Sequence, residues 1–178
     1  QRQMCIRDRV ALIDDPNISI DGLMEHVKGP DFPTAGLIMG MDGLKQAYET
    51  GRGKIKMRAR AHIETNKNGK DSIVITEVPF QTNKANLVEK IADLVGQKKI
   101  EGIRDLRDES DKDGIRVVVE TKKDVVPEVI LNQLYQFTQL QDTFGIILLA
   151  LVEGVPKVMS LKTTLQHFVD FRHDVVVR

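Results

Sequence analysis

The sequence has 178 residues, of which 41% are hydrophobic, and its 26 lysines and arginines balance its 26 aspartates and glutamates. This length suffices for one domain, or for a domain with an appendage. Because the net charge is zero, any binding to a polyanion must come from local clusters of cations. The single cysteine, Cys5, excludes an internal disulfide and fits a reducing compartment. No apolar run approaches the roughly 18 residues of a membrane helix, and the lack of Trp argues against a base-stacking platform.

The first 50 residues are predicted to be helical with irregular connections. Residues 1–9 are polar and without pattern, and a helix that includes residues 10–13 should stop at Asp14-Asp15-Pro16. Ser19 is predicted to cap a short helix through Val27, and Asp42 to cap a helix that ends at Gly51. Between these helices lie a stiff connector at 29–33, which holds two prolines, and a short apolar piece at 36–40.

The most informative stretch is GRGKIKMRARA at 51–61. Read as a strand of about residues 54–64, it places Lys54, Lys56, Arg58 and Arg60 on one face and small or apolar residues on the other, which can pack on a core. Cations about 7 Å apart, from a rise of roughly 3.3 Å per residue, suit the phosphates of a polyanion. Two alternatives are an exposed edge strand that uses cations against aggregation and a row that carboxylates on a neighbouring strand neutralise. Glycines on both sides of Arg52 would let a partner approach the backbone.

The later elements alternate between strands and helices. A turn at 66–70, where Asn-Gly favours positive φ, should join the basic strand to a strand at 72–78 in a long antiparallel hairpin. The remaining predicted elements are a helix at 84–99 capped by Thr82 or Asn83, a strand at 115–120, a helix at 125–137 capped by Asp124, strands at 146–152 and 155–159, and a final helix capped by Ser160. Since hairpins imply antiparallel pairing, we predict an α+β fold: an antiparallel sheet with long hairpins packed by helices, ending in a long helix.

The final helix carries an apolar stripe with heptad spacing. The stripe contains Leu161, Leu165, Phe168 and Val175, with Arg172 among them. This spacing is typical of packed helices, so we expect the helix to start a coiled-coil arm. It reaches residue 178 without a stop signal, and we therefore expect the chain to continue in the parent protein.

No complete catalytic or metal site is predicted. Residues 109–120 nearly fit a calcium loop, but the loop starts with Glu109 instead of Asp, has Arg116 where an apolar residue belongs, and leads into a β-branched strand instead of a helix. We interpret it as an acidic loop that arginines can hold in shape by pairing with its carboxylates. The residues concerned are Arg104 and Arg107 with Asp105, Asp108 and Asp111.

Other reactive residue types also lack partners at recognisable spacing. The four histidines, His26, His62, His167 and His173, show no metal-ligand spacing. The two tyrosines, Tyr48 and Tyr135, lie on the apolar sides of predicted helices and are interpreted as core residues.

Seven segments together resemble the A subunit of bacterial DNA gyrase, a type IIA DNA topoisomerase. They are ALIDDP at 11–16, GPDFPT at 29–34, AYETGRGKIKMRARA at 47–61, NKANLVEKIADLV at 83–95, LRDESDKDGIRVVVE at 106–120, NQLYQFTQLQDTFGI at 132–146 and FRHDVVVR at 171–178. The A subunit of topoisomerase IV is the nearest alternative within the family. The resemblance implies a fragment with the tower region of the breakage-reunion part and the start of the coiled-coil arm, beside the bent DNA segment that is cut.

The resemblance also implies site residues and partners. Arg52, Lys54, Lys56, Arg58 and Arg60 would bind DNA phosphates, with Lys84 as a further candidate. Such contacts position DNA without reading its sequence. The family's nucleophilic tyrosine follows an arginine in a winged-helix domain, and neither tyrosine here matches that motif, so no catalytic residue and no metal ligand are expected. The implied partners are double-stranded DNA, the gyrase B subunit, which uses Mg²⁺ and ATP, and a second A subunit in a heterotetramer of two A and two B chains, in the cytoplasm and on the nucleoid, without a membrane.

These implications give four expected segments. They are a leader at 1–9 foreign to the family, a helical connector at 10–50 from a winged-helix domain, the tower at 51–159 and the start of the arm at 160–178. Outside the family, the alternatives are a stand-alone nucleic-acid-binding α+β module, for which a natural C-terminus would be needed, and a small-molecule regulatory domain, for which an apolar pocket would be needed.

Overall fold

The computed structural model describes residues 4–66 and 69–178, and these residues form six helices and nine strands. The helices are α1 Met4–Asp14, α2 Ile20–His26, α3 Asp42–Thr50, α4 Lys84–Gly96, α5 Pro127–Phe137 and α6 Leu161–Val177. The strands are β1 Leu37–Met39, β2 Arg52–Arg58, β3 Arg60–Thr65, β4 Asp71–Glu77, β5 Ile103–Asp108, β6 Val117–Thr121, β7 Gln141–Ile147, β8 Leu149–Val152 and β9 Val155–Val158. Residues 1–3 of the predicted leader and 67–68 of the predicted turn lie outside the described residues.

The chain forms two compact units. The first unit takes the described part of Gln1–Asp31 together with Gly40–Ile55 and Thr143–Arg178, and the second takes Phe32–Met39 and Lys56–Asp142. Strand β2 therefore begins in the first unit and ends in the second. The boundaries at 10, 51 and 160 inferred from the family stay a prediction.

The core of the first unit includes a helical cluster. Leu12 of α1, Leu23 of α2 and Leu165 of α6 pack together and are 2%, 0% and 7% exposed. Helix α3 buries Leu44, Ala47 and Tyr48. The predicted hairpin near the end of the chain is confirmed, since β8 and β9 pair antiparallel from Leu149–Val158 to Val152–Val155.

The second unit is built on a four-stranded antiparallel sheet in the order β3-β4-β6-β5. Ile73 and Ile75 of β4 and Val117 and Val119 of β6 are fully buried. They form one cluster with the apolar faces of α4 and α5, to which Leu87, Ile91, Leu94, Ile130 and Leu134 contribute. Each buried leucine or isoleucine in such a cluster stabilises the fold by roughly 1.5–3 kcal/mol relative to an exposed position.

Three predicted helix caps are confirmed. The Ser19 hydroxyl accepts a hydrogen bond from the Gly22 N–H at 3.1 Å, and the Ser160 hydroxyl accepts one from the Thr163 N–H at 3.1 Å. The Asn83 side chain accepts from two N–H groups at the start of α4, which decides between the two candidates for that cap. Each of these contacts satisfies backbone donors that a helix start leaves unpaired.

Two predicted caps are wrong. Asp42 is the first residue inside α3, and Met41 precedes it without a side-chain cap. Helix α5 begins at Pro127, after Val126, so Asp124 lies too far upstream to cap it. Proline is favoured at a first helical position because its φ is already helical and its missing N–H would have been unpaired there.

The predicted long hairpin is only partly correct. Strand β3 pairs antiparallel with β4, from Arg60–Glu77 to Thr65–Asp71. Strand β2 instead joins a three-stranded sheet in the order β1-β2-β7. The change of sheet occurs at Ala59, which is fully buried and donates its N–H to the carbonyl of Leu140 at 2.7 Å. Its backbone donor is thereby satisfied outside the hairpin.

The structure differs from the prediction at three further places in the chain. Helix α1 starts at Met4, within the segment 1–9 that showed no pattern. Strand β5 was not predicted, because its sequence IRDLRD is mostly charged. The single strand predicted at 146–152 is divided into β7 and β8 at Leu148, whose N–H donates to the Gly51 carbonyl at 2.8 Å. The α+β class, the antiparallel pairing and the long final helix are confirmed.

The heptad stripe of α6 is buried only in part. Leu165 is 7% exposed, whereas Phe168 and Val175 are 38% and 43% exposed. The guanidinium of Arg9 lies 3.8 Å from the centre of the Phe168 ring, a cation–π contact. The coiled-coil arm stays a prediction.

Among residues 4–66 and 69–178, no helix combines the length and the apolar character that crossing a membrane requires.

Candidate nucleic-acid interface

Strand β2 exposes cations on one face and buries apolar residues on the other. Ile55 and Met57 are 2% and 1% exposed, which confirms the predicted alternation. Arg52, Lys54 and Lys56 are exposed on the other face. In the part of the chain that the structure describes, none of these three side chains has an ion-pair partner. They are the predicted site residues whose charge is free to attract an anion.

Arg58 is held by neighbours within the second unit. Its Nε and Nη2 donate to the Gln141 Oε1 at 2.9 and 2.7 Å, and its guanidinium lies 4.5 Å from the centre of the Tyr135 ring. The side chain is half-buried. Arg58 therefore keeps its positive charge but has a fixed direction.

Arg60 belongs to the other sheet and is paired. Its Nε lies 3.1 Å from Oε2 of Glu77, the residue opposite it on β4. Arg60 therefore has the carboxylate on a neighbouring strand that one of the two alternatives requires. The four cations from 54 to 60 do not form one row on one strand, because Ala59 separates β2 from β3.

Lys84, the sixth candidate, is paired as well. Its Nζ lies 2.7 Å from Oδ2 of Asp108. The lysine, together with Ser110, lowers the pKa of the Asp108 carboxyl to about 2. A phosphate would have to compete with this carboxylate for Lys84.

Two further arginines are occupied in an ion-pair network on the four-stranded sheet. Arg107 contacts carboxylates of Asp105, Glu109 and Glu120 at 2.9, 3.1 and 2.7 Å. These contacts, with Glu120 first, raise the pKa of Arg107. Of the predicted pairs, the one between Arg107 and Asp105 is confirmed. Asp108 pairs with Lys84 instead, and among residues 4–66 and 69–178 Arg104 has no ion pair.

Arg116 closes the same network. It donates to both carboxylate oxygens of Glu64, at 3.2 and 2.8 Å, and its Nε lies 3.3 Å from Glu109. Hydrogen bonds from Arg116 and then His62 lower the pKa of the Glu64 carboxyl to about 2. Arg107 and Arg116 are thus paired with carboxylates, unlike the exposed cations of β2.

The glycines around Arg52 serve packing inside the first unit. A Cβ at Gly51, where φ is 80°, would lie 2.8 Å from a methyl group of Val158. A Cβ at Gly53 would lie 2.7 Å from the Cβ of Ala47 on α3. The close approach predicted at these glycines is therefore to the protein's own backbone and side chains.

The two tyrosines are buried or half-buried within the two units. Tyr48 is 5% exposed, and its burial raises the pKa of its phenol to about 12. Tyr135 packs against the core of the second unit, where burial raises its pKa. The prediction of a core residue is confirmed for Tyr48, whereas Tyr135 is half-buried. His62 lies 2.9 Å from Glu64, and in the described ranges no three His, Cys, Asp or Glu side chains converge as metal ligands would.

Sequence reasoning missed the residues that fix the charged candidates. Gln141 lies 83 residues from Arg58 in the chain, so no local pattern connects them. The partners of Arg60 and Lys84 are likewise brought close only by strand pairing and helix packing. The separation of free from paired cations could therefore not be predicted from the spacing of Lys and Arg.

Comparison with known proteins gives the family. The model of the family formed by the A subunits of DNA gyrase and topoisomerase IV matches residues 4–178. The chain belongs to this family. The DNA gyrase A subunit of Clostridium acetobutylicum is 60% identical over 167 residues, which are 94% of this chain and 20% of that protein. Its counterpart in Rickettsia bellii is 58% identical over 92% of this chain, and that of Escherichia coli strain K12 is 56% identical over 95% of it.

The gyrase A relatives are much longer than this chain. It spans 18% and 19% of the Rickettsia and Escherichia proteins, and thus about a fifth of the length of the curated relatives it matches. The family match starts at residue 4, inside the segment 1–9 predicted as a leader. These three relatives are all DNA gyrase A subunits, so the resemblance noted in the sequence is confirmed.

Proposed function

We propose that this chain is a part of a DNA gyrase A subunit that binds the flanks of the DNA segment being cut. The parent enzyme would be an ATP-dependent type II topoisomerase, an isomerase that passes one duplex through a transient break in another. The names of the relatives favour gyrase over topoisomerase IV. Within the parent protein, residues 10–50 would connect to a winged-helix domain, 51–159 would be the tower and 160–178 the start of the arm to the exit gate.

The observation that supports DNA binding is the exposed cation face of β2. Arg52, Lys54 and Lys56 are exposed and unpaired among the described residues, while Ile55 and Met57 anchor the strand from the other side. A cation that is not paired with a carboxylate can neutralise a DNA phosphate and so release the counterions that are condensed on the DNA. This release is the main source of sequence-independent affinity for DNA. Arg60 and Lys84 would contribute less, because each already has a carboxylate partner. Arg58 would keep its charge, but hydrogen bonds to Gln141 hold its side chain.

The remaining roles would belong to other chains and other regions. Catalysis would use a tyrosine outside residues 1–178, and the chain alone is expected not to attach covalently to DNA. The B subunit would supply the ATP and Mg²⁺ chemistry, and a second A subunit would complete the heterotetramer. The assembly would work in the cytoplasm on the nucleoid.

The experiment that tests this proposal is the salt dependence of duplex DNA binding. The variant Arg52→Ala/Lys54→Ala/Lys56→Ala is compared with the wild type and with Lys112→Ala/Lys122→Ala/Lys123→Ala, which removes three exposed cations from elsewhere. We expect the first variant to flatten the plot of log affinity against log salt by about 0.9 for each phosphate that it no longer neutralises. Equal slopes for the two triple variants would contradict the proposed site, because bulk charge would then explain the binding.

A further inference from the structure

A polar cleft of about 480 Å³ lies in the second unit, where α4 faces the end of α5 and the segment that follows it. Its lining is rich in side-chain amides. They belong to Asn86, Gln136, Gln139 and Gln141. Lys90 and Asp142 are the two charged residues of the lining. This volume lies within the range of small-ligand sites, and the amides offer many hydrogen-bond donors and acceptors.

The wall formed by residues 138–141 is held by hydrogen bonds from three sides. The Thr138 hydroxyl donates to the Leu134 carbonyl at 2.6 Å, and the Ala59 N–H donates to the Leu140 carbonyl at 2.7 Å. Arg58 then fixes the side chain of Gln141. A wall fixed before a ligand arrives reduces the entropy lost on binding.

The geometry also decides which end of the Gln141 amide is available. A guanidinium can only donate, so the amide oxygen must face Arg58, and that oxygen accepts both of its hydrogen bonds. The amide NH₂ group remains as a donor on a residue that lines the cleft. Asn86 and Lys90 are one helical turn apart on α4 and therefore share a face. Lys90 is exposed, and no ion pair to it occurs in residues 4–66 and 69–178.

We propose that this cleft binds a phosphodiester group of duplex DNA, with Lys90 supplying the charge and the amides of Asn86 and Gln141 supplying hydrogen bonds. The inference rests on the proposed function and adds a second contact region to it. Arg58 connects the two regions, since it lies two residues after the exposed Lys56 and orients Gln141.

The test measures duplex DNA binding by the full 178-residue chain at several salt concentrations. Lys90→Ala is compared with Lys90→Arg, which keeps the charge, and with Lys99→Ala, which removes an exposed lysine just beyond the other end of α4. We expect Lys90→Ala to flatten the log–log salt slope by about 0.9. Lys90→Arg should keep most of the slope, and Lys99→Ala should leave it as in the wild type.

Three results would overturn the inference. One is an equal loss of slope for Lys90→Ala and Lys99→Ala, and another is no loss for Lys90→Ala. The third is Lys90-dependent binding of inorganic phosphate without any change in the DNA slope. The β2 triple variant separates this failure from that of the proposed function: if it still flattens the slope while Lys90→Ala does not, only the cleft is excluded.

Discussion

The guanidinium of Arg58 donates two hydrogen bonds to the same oxygen of Gln141, at 2.9 and 2.7 Å, across 83 residues of sequence. Arg58 ends the strand that exposes Lys56, and Gln141 begins β7. These hydrogen bonds therefore fix the end of the basic strand to the segment that follows α5. They give Arg58 a structural role in addition to its charge.

We expect Arg58→Ala to lower the free energy of unfolding by about 2–4 kcal/mol. The variant removes hydrogen bonds from a charged group, which typically contribute about 1.5–3 kcal/mol, and a cation–π interaction with Tyr135 of about 0.5–1 kcal/mol. Urea unfolding measures the change. Lys56→Ala, on the exposed face of the same strand, is the control and should change stability by less than about 0.5 kcal/mol. Equal stabilities of the two variants would show that the hydrogen bonds to Gln141 contribute nothing.

The ion pair of Arg116 and Glu64 should make stability depend on pH in acid. The pKa of Glu64 falls from an ordinary 4.5 to about 2, first through Arg116 and then through His62. A lowered pKa in the folded state means that the stabilisation is present above pH 4.5 and is lost as the pH falls toward 2.

The measurement is the thermal midpoint of the wild type and of Glu64→Gln at several pH values. We expect the difference between them to shrink as the pH falls from about 5 to about 2. Glu89→Gln, which removes a negative charge from an exposed position of α4, is the control for the change in net charge alone. A difference for Glu64→Gln that is the same at all pH values would argue against a lowered pKa.

Burial of Tyr48 predicts a loss of stability in alkali. Its pKa is raised from 10.0 to about 12 by burial, so the folded state keeps the phenol proton more tightly than the unfolded state does. The stabilisation is full below pH 10 and is lost as the pH rises through about 12. We expect Tyr48→Phe to lose less stability than the wild type across this same alkaline range. An ultraviolet titration that shows both tyrosines ionising near pH 10 in the folded chain would exclude the raised pKa of Tyr48.

Two glycine-to-alanine substitutions in helices should have opposite effects. A Cβ at Gly43 in α3 would overlap the backbone carbonyl of Lys54, so Gly43→Ala must move α3 away from β2. Around Gly96 at the end of α4 there is open space. Gly96→Ala should be neutral or stabilise by about 0.5–1 kcal/mol, whereas Gly43→Ala should destabilise by more than about 2 kcal/mol. Thermal unfolding of the two variants measures this difference in stability. Similar midpoints would refute the close packing of Gly43 against Lys54.

Local features of the fold could be predicted from the sequence because their causes are local. Ser19 and Ser160 accept hydrogen bonds from backbone groups three residues away, and the alternation in β2 is a property of any strand with one buried face. Strand β5 was missed because most of its side chains are charged. Pairing with β6 and the ion pairs of its own Arg107 stabilise it. The transfer of the chain between sheets at Ala59 depends on Leu140, which is distant in sequence.

The candidate site was predictable as a composition but not as a set of free charges. Spacing and family resemblance indicate six cations, and three of them, Arg58, Arg60 and Lys84, have partners that the tertiary structure supplies. Pairing of this kind depends on registers and helix positions that a linear pattern does not contain. The cleft around Lys90 has the same origin, since its walls come from separate segments.

The interleaving of the two units along the chain has a consequence for biosynthesis. All of the second unit has been translated once residue 142 has left the ribosome, whereas the first unit still lacks Thr143–Arg178. Leu12 and Leu23 must therefore wait for Leu165 before their cluster can close. Because domains usually fold as units during synthesis, we expect Leu12 and Leu23 to stay exposed in the nascent chain until α6 emerges.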